Sequence, residues 1–223
     1  MKLVSYLKSN KPVILIGGGG HAAGLAEIIQ QQGREILAVV APELSQSLQS
    51  LGGFTHYTSD DDVYKFSSDQ VELVNAIGAM PYQVLRKAIF TRFKEQGYQF
   101  ATVVADSAIV SPNTLLEEGV QVMQNAVICI GSTVRENTII NTSASIDHDC
   151  LIGANCHIAP GVTMSGQVNI EDGVHIATGA NIINNITVGK NTIVGVGASV
   201  TADLQEGVVA FGSRLAIKEQ RKL

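Results

Sequence analysis

Residues 140–158 read Ile140-Asn141-Thr142-Ser143-Ala144-Ser145-Ile146-Asp147-His148-Asp149-Cys150-Leu151-Ile152-Gly153-Ala154-Asn155-Cys156-His157-Ile158. Ile recurs at every sixth position, and the register extends in both directions: Ile128, Val134, Ile140, Ile146, Ile152, Ile158, Met164, Ile170, Ile176, Ile182, Val188, Val194 and Val200. Four residues after each of these stands a small or β-branched side chain, from Ser132 and Thr138 through Cys150 and Cys156 to Ala198, with Leu204 as the departure. A period of six fits neither a 3.6-residue helix nor a two-sided strand; it is the signature of a parallel β-helix. Three hexapeptides close one coil, each coil rises by the inter-strand spacing of about 4.8 Å, and each inward Ile or Val stacks on its equivalent in the next. Each such burial is worth about 1.5–3 kcal/mol.

Outside this region the periodicity changes. Residues 13–16 form an apolar run that ends in Gly17-Gly18-Gly19-Gly20-His21-Ala22, followed by a helical pattern to Gln32, a stop at Gly33 and a second apolar strand over residues 36–40. Strand, glycine turn, helix and strand make a parallel βαβ unit. The stretch between Ala41 and Ser68 reads as loop with a short helix. A third strand over residues 71–77, a helix from Tyr82 to about Gln96 and a fourth strand over residues 100–104 complete the N-terminal part. The expected architecture is therefore α/β plus all-β: a small Rossmann-like domain over residues 1–105, then a β-helix of hexapeptide repeats over residues 106–223. The six-residue rhythm starts imperfectly around Ile109, Leu116 and Val122. Outward apolar residues such as Ile139, Ile183 and Ile193 need cover, and a triangular prism closes naturally as a cyclic trimer.

Composition narrows the functions. With 15 basic and 20 acidic residues, a net charge of -5 and a pI near 5.5, the chain lacks the basic surface that nucleic-acid or anionic-membrane binding requires. No run approaches the roughly 18 apolar residues of a membrane span, and residues 1–12 lack a leader's apolar stretch, so a cytoplasmic protein is expected. Three cysteines make neither a CxxC pair nor a disulfide framework. Cys150 and Cys156 fall at small inward positions, which makes Cys150 a poor acyl carrier.

The glycine run presents bare N–H groups at a helix N-terminus, where a phosphate is stabilised; the alternative is a structural tight turn. A dinucleotide site wants an acid at the end of the second strand, and Val39-Val40-Ala41-Pro42 stands there, with Glu43 slightly late. NAD is disfavoured. His148, outward at a corner between Asp147 and Asp149, can be oriented through one ring nitrogen and take a proton on the other, against the plainer reading of a surface His in an acidic turn. His157 and His175 each precede an inward Ile and stack on one wall; His175 reads as structural or interfacial. His148 and His157, nine residues apart, stand on different walls, so a site that uses both needs two subunits. Their spacing matches no zinc motif, and no metal is expected.

The stretches Ile14-Leu15-Ile16-Gly17-Gly18-Gly19-Gly20-His21-Ala22, Ala76-Ile77-Gly78 and Ile140 to Cys150, with the repeats that follow, resemble the PglD/NeuD-type acyltransferases over almost the whole chain after Pro12. The resemblance implies a left-handed coil and a homotrimer that moves an acetyl group from acetyl-CoA to the 4-amino group of a nucleotide-linked 4-amino-4,6-dideoxy sugar in glycan biosynthesis. It implies His148 as general base, Asp149 as its orienting acid and Asn141 near the reacting groups. Gly17, Gly18, Gly19, Gly20, His21 and Gly78 would receive the nucleotide sugar, and His157, Gly179 and Gly197 acetyl-CoA, with His157 near the thioester from the adjacent subunit. A backbone N–H or an imidazolium would hold the oxyanion. Relatives often carry an acidic pair where Val40-Ala41 stands, which favours dTDP over UDP. They often end in a Gly-x-Pro-Ala-Lys-like segment, where this chain has Gly212-Ser213-Arg214-Leu215-Ala216; Arg214, Lys218, Arg221 and Lys222 read as a solvated basic tail. The alternatives are an O-acetyltransferase of sialic acid or a related sugar and, from another class, a non-catalytic nucleotide-sugar-binding scaffold.

Overall fold

The computed structural model describes residues 9–45, 51–82 and 84–212; the basic tail from Arg214 onward lies outside these. Four parallel strands, β1 (Val13–Ile16), β2 (Ile36–Val40), β3 (Thr55–Tyr57) and β4 (Glu72–Asn75), form a sheet in the order β3-β2-β1-β4. The apolar runs become buried central strands because both faces are covered. Helix α1 (Gly20–Gln31) packs Leu25, Ile28 and Ile29 on one face, against Val13, Leu15 and Val39. Helix α2 (Leu85–Glu95) packs Ile89, Phe90 and Phe93 on the other, against Ile14, Ile16 and Leu73.

The boundaries differ from expectation where polar capping decides. Ser59 and Asp62 form a reciprocal capping box that starts a short 3-10 helix, Asp60–Lys65, and β3 precedes it where only loop was expected. The expected fourth strand divides: Phe100 bridges to Leu73 of β4, whereas Val103–Val104 pairs with Gln121–Val122 as part of the first coil.

From there the chain winds through three parallel sheets of two-residue strands. One wall runs Val103–Val104, Gln121–Val122, Ile139–Ile140, His157–Ile158, His175–Ile176, Ile193–Val194 and Val209–Ala210; a second runs from Ile109–Val110 to Ser199–Val200, and a third from Leu115–Leu116 to Thr187–Val188. Every pairing is parallel with an 18-residue offset in the regular coils, as in Ile140↔Ile158 and Ile146↔Met164. The inward column is buried throughout. The small positions are hydrogen-bonding posts as well as space fillers: Ser132, Thr138 and Thr192 hydroxyls and the Cys150 and Cys156 thiols each donate to a carbonyl further along, for example Thr138 Oγ1 to Gly153 O at 2.8 Å. Corners turn through the left-handed region at Asn125, Asn137, Ser143, Asp149, Asn155, Gln167, Asn185 and Asn191, as well as at several glycines. This is why short polar side chains recur there.

The α/β domain sits on the first coils. Ile139, expected to need an oligomeric partner, is instead 1 % exposed, packed with Met123 against the α1 layer. Ile183 is 44 % exposed and Ile193 half-buried, so the need for cover persists lower on the prism. Among the described residues no helix is long and apolar enough to cross a membrane.

Candidate active site

The glycine run separates into two pairs. Gly17 has φ +129°, and a side chain there would strike the Ala76 backbone at 2.6 Å; one at Gly18 would meet Glu43 O at 2.5 Å. Packing explains both. Gly19 and Gly20 face open space at the start of α1, which has no side-chain cap and no acidic residue in its first turn. An uncapped helix N-terminus beside bare backbone suits an anion. Beside it lies a cavity of about 460 Å³ lined by Ile16, Val40, Ala41, Pro42 and Leu44, with the carboxylates of Glu43 and Asp60. A Cβ added at Gly78 would lie 3.7 Å from the His21 Cβ.

His21 crosses to the β-helix, where its Nε2 meets Gln121 Oε1 at 2.7 Å. Directly along the wall the outward residues are Gln121, Ile139, His157, His175 and Ile193 in successive register. The His157 and His175 rings stack edge-on with centroids 4.9 Å apart, a packing role that agrees with the structural reading of His175. Asn141, at the end of its strand, is 3.0 Å from His157 Nε2. Burial, reinforced by His175 and His21, pushes the His157 pKa down to about 3. At neutral pH it is an uncharged imidazole. An imidazolium there would lose its hydration beside other imidazoles.

Between the two domains lies a polar junction that sequence reasoning missed. Arg86, only 5 % exposed, donates to the backbone carbonyls of Asn75 (2.6 Å), Ile77 (2.8 Å) and Asn137 (3.3 Å), and its second terminal nitrogen has no partner among the described residues. Desolvation lowers its pKa to about 9. Asn75 Nδ2 bonds Asn137 Oδ1 and Asn137 Nδ2 bonds Asn155 Oδ1. Gln121 was readable as the outward residue two coils before His157; Arg86 left no signal, because one basic residue on an amphipathic helix looks solvated. A cavity of about 430 Å³ opens below this junction, lined by Arg86, Asn155, His157, His175 and Lys190.

His148 stands elsewhere. It follows the strand Ser145–Ile146 on the second wall, at a half-exposed corner. Its Nδ1 lies 2.8 Å from Asp149 Oδ2, its N–H donates to Asp147 Oδ1, and Asp149 is fixed by its own N–H to Ile130 O. The Asp149 hydrogen bond holds the His148 pKa above the usual histidine range. Nε2 faces Gly166, one coil on, where a Cβ would lie 2.5 Å away. Asn141 and His157 are thus one cluster and His148 with Asp149 another, on different walls. Gly179 and Gly197 occupy successive turns of one corner with open space over their Cα atoms. Cys150 is buried, its thiol bonded to Ser165 O and its pKa raised by desolvation. Among the described residues no group of three His, Cys, Asp or Glu side chains could hold a metal ion.

Comparisons with known proteins agree with this architecture. Residues 12–93 match the PglD N-terminal domain model and residues 131–166 the bacterial transferase hexapeptide (six repeats) model. PerB from Caulobacter crescentus, solved in complex with CoA and GDP-perosamine, is 33 % identical over 90 % of this chain and 94 % of its own, with a TM-score of 0.81. The acetyltransferase domain of PglB from Neisseria gonorrhoeae, in complex with acetyl coenzyme A, is 29 % identical over 92 % and 97 %, with a TM-score of 0.83. WeeI from Acinetobacter baumannii shares the fold at 24 % identity over 89 % and 95 %, with a TM-score of 0.74. An α/β domain mounted on a hexapeptide-repeat parallel β-helix places the chain among the acyltransferases of that superfamily. Within it, the chain belongs to the PglD/NeuD-type sugar N-acetyltransferases, and it is an enzyme of that family, with the family's left-handed coil.

Proposed function

We propose that the enzyme transfers the acetyl group of acetyl-CoA to the 4-amino group of a nucleotide-linked 4-amino-4,6-dideoxy sugar. The observation that carries this reading is the domain packing: the open N-terminus of α1 is held by His21 and Gln121 on the same wall that presents Asn141 and His157. The nucleotide diphosphate lies against Gly19 and Gly20 and the base in the adjoining cavity, whose apolar Val40, Ala41 and Pro42 suit a thymine methyl. dTDP is accordingly favoured over UDP. PerB's complex with GDP-perosamine and CoA and PglB's with acetyl-CoA support both substrate classes.

His148 is the general base. Its Nδ1–H donates to Asp149, which leaves the Nε2 lone pair free. Because His148 and His157 occupy different walls, the site closes in a homotrimer, with His148 and Asp149 of one subunit meeting Asn141 and His157 of the next. The amine nitrogen attacks the thioester carbonyl carbon, a C–N bond forms, and the carbonyl oxygen takes the charge. His148 removes a proton from the attacking nitrogen; the C–S bond then breaks, the CoA thiolate leaves and takes that proton, giving an amide and free CoA. Neutral N–H donors hold the oxyanion, and both substrates meet at the interface without a covalent acyl-enzyme. Gly179 and Gly197, open along one corner, line the acetyl-CoA path.

Purified protein is mixed with acetyl-CoA and a panel of dTDP-, UDP- and GDP-linked 4-amino sugars, and thiol release is followed. Turnover with an amino sugar, fastest with the dTDP form, is expected. Turnover only with a hydroxyl acceptor would assign an O-acetyltransferase, and no turnover with any acceptor a binding scaffold.

A further inference from the structure

Each hexapeptide turns its corner at the fourth residue, and the side chains at that position follow one another along the prism at 18-residue spacing. Where two asparagines follow each other they pair, as Asn137 Nδ2 does with Asn155 Oδ1 at 2.8 Å. Where the preceding residue is glycine, the next side chain leans back into the space left free. A Cβ added at Gly173 would thus lie 2.5 Å from Asn191 Oδ1. Gly131 and Asp149 repeat this second arrangement. A Cβ at Gly131 would strike Asp149 Oδ1 and come 3.2 Å from its Cγ, while the other oxygen, Oδ2, meets His148 Nδ1 at 2.8 Å. The carboxylate lies partly over the preceding coil, in volume that any side chain at position 131 would claim.

Among the described non-glycine residues that turn through the left-handed region, Asp149 alone is charged. An asparagine one coil before it would be its natural partner, as at Asn137 and Asn155, and the amide N–H would then compete for the oxygens that serve His148. Glycine has no side chain with which to compete. The titratable groups that face His148 are Asp149 and Asp147 on its own corner. From the coil before, Cys129, its thiol pKa raised by burial, sits against Asp147; the coil after presents Ser165-Gly166-Gln167, none of which titrates.

We propose that Gly131 is a positioning residue, whose missing side chain lets the Asp149 carboxylate lean back over the corner and serve His148 alone. Its effect on rate rests on the function proposed above; the hold on Asp149 does not depend on any substrate. One coil of the prism thereby sets the proton affinity of a ring in the next.

The test is a histidine NMR titration of the full-length protein, with the His148 signals assigned by their loss in His148→Ala. Asparagine is accepted on left-handed backbone at the neighbouring corners, so Gly131→Asn is the first variant. Its His148 pKa should fall towards the ordinary value of about 6.5, and the same change made in Asp149→Asn should add nothing. Gly131→Ala, which fills the volume without an amide, should act in the same direction. Gly207→Asn, at another left-handed glycine (φ +70°) with open space over its Cα, should leave the His148 pKa at its wild-type value. An unchanged His148 pKa in both Gly131 variants, or a fall of equal size in the Asp149→Asn background or in Gly207→Asn, overturns the inference. Thiol release from acetyl-CoA with dTDP-4-amino-4,6-dideoxyglucose separates it from the function. In Gly131→Asn the acidic limb of kcat/KM should follow the His148 pKa down, and kcat at neutral pH should fall about tenfold. A limb that stays fixed while the His148 pKa moves removes His148 as base and leaves the hold of Gly131 on Asp149 standing.

Discussion

His148 and His157 are nine residues apart, in successive hexapeptides, yet their surroundings differ in opposite senses. His148 projects from a corner, half exposed, with a carboxylate on Nδ1 that raises its pKa. His157 lies on a flat wall beneath the α/β domain, where burial above all, and then His175, His21 and Arg86, keep it neutral. The difference comes from geometry that the hexapeptide fixes. Corner residues turn through the left-handed region and reach solvent, where acids are cheap to place; wall residues meet whatever packs on the wall. An imidazole whose pKa has fallen to about 3 is a poor base at pH 7, and a carboxylate-paired imidazole is a better one.

Removing the proposed base should give the largest effect. His148→Ala is expected to lower kcat by roughly 10²–10⁴ with KM for acetyl-CoA nearly unchanged, measured by thiol release. His157→Ala should cost less, since it removes a neutral contact. Equal losses would erase the distinction between the two histidines. A second way to break it leaves both in place: Gly166→Ala inserts a methyl 2.5 Å from His148 Nε2 and should displace the ring, costing on the order of 10²-fold in kcat with thermal stability little changed. The backbone at Gly166 is not left-handed, so a lost activity reports the ring and not the turn. Full activity would mean that His148 has freedom that the packed corner denies it.

The same contrast explains what could be read from the residues alone. A strict period of six assigns an inward side to every repeat, so the prism, the burial of Cys150 and Cys156 and the separation of His148 from His157 follow by counting. The glycine turn and its flanking strands are local, and they were equally readable. The junction was not. Ile139 looked outward because the period says nothing about a second domain lying on the wall, and Arg86, Asn75 and Gln121 come from three separate stretches that only tertiary packing brings together. Asn141 shows the limit: its role near the reacting groups was expected, but its bond to His157 depends on two adjacent strands pairing 18 residues apart, and its amide orientation on one backbone N–H.

On the wall, the Thr142 backbone N–H, 2.8 Å from Asn141 Oδ1, can only donate, so Asn141 Nδ2 faces His157, whose Nε2 must accept and whose proton sits on Nδ1. Asn141→Ala should leave His157 Nε2 without its donor and free the ring to change tautomer. A fall of about tenfold in kcat/KM is expected, in line with one hydrogen bond lost, and histidine NMR should show the His157 proton no longer confined to Nδ1. A retained tautomer with unchanged rate would show that burial alone fixes the ring.

The smallest effect is the most specific, because it is a shift along the pH axis. With His148 as the proposed base, activity requires it unprotonated, so kcat/KM should fall as pH drops through its pKa, and Asp149 places that limb above the ordinary histidine range. Asp149→Asn keeps an oxygen to accept from Nδ1–H but removes the charge that favours the imidazolium. The His148 pKa therefore falls, the free base persists to lower pH, and the acidic limb of the profile moves down. His157 cannot produce this limb, since with a pKa of about 3 it is already neutral throughout the range in which the enzyme would be assayed, and Asn141→Ala should leave the limb where it is. A limb that stays fixed in Asp149→Asn but moves in Asn141→Ala would transfer the base from the corner to the wall and reverse the division of labour between the two histidines.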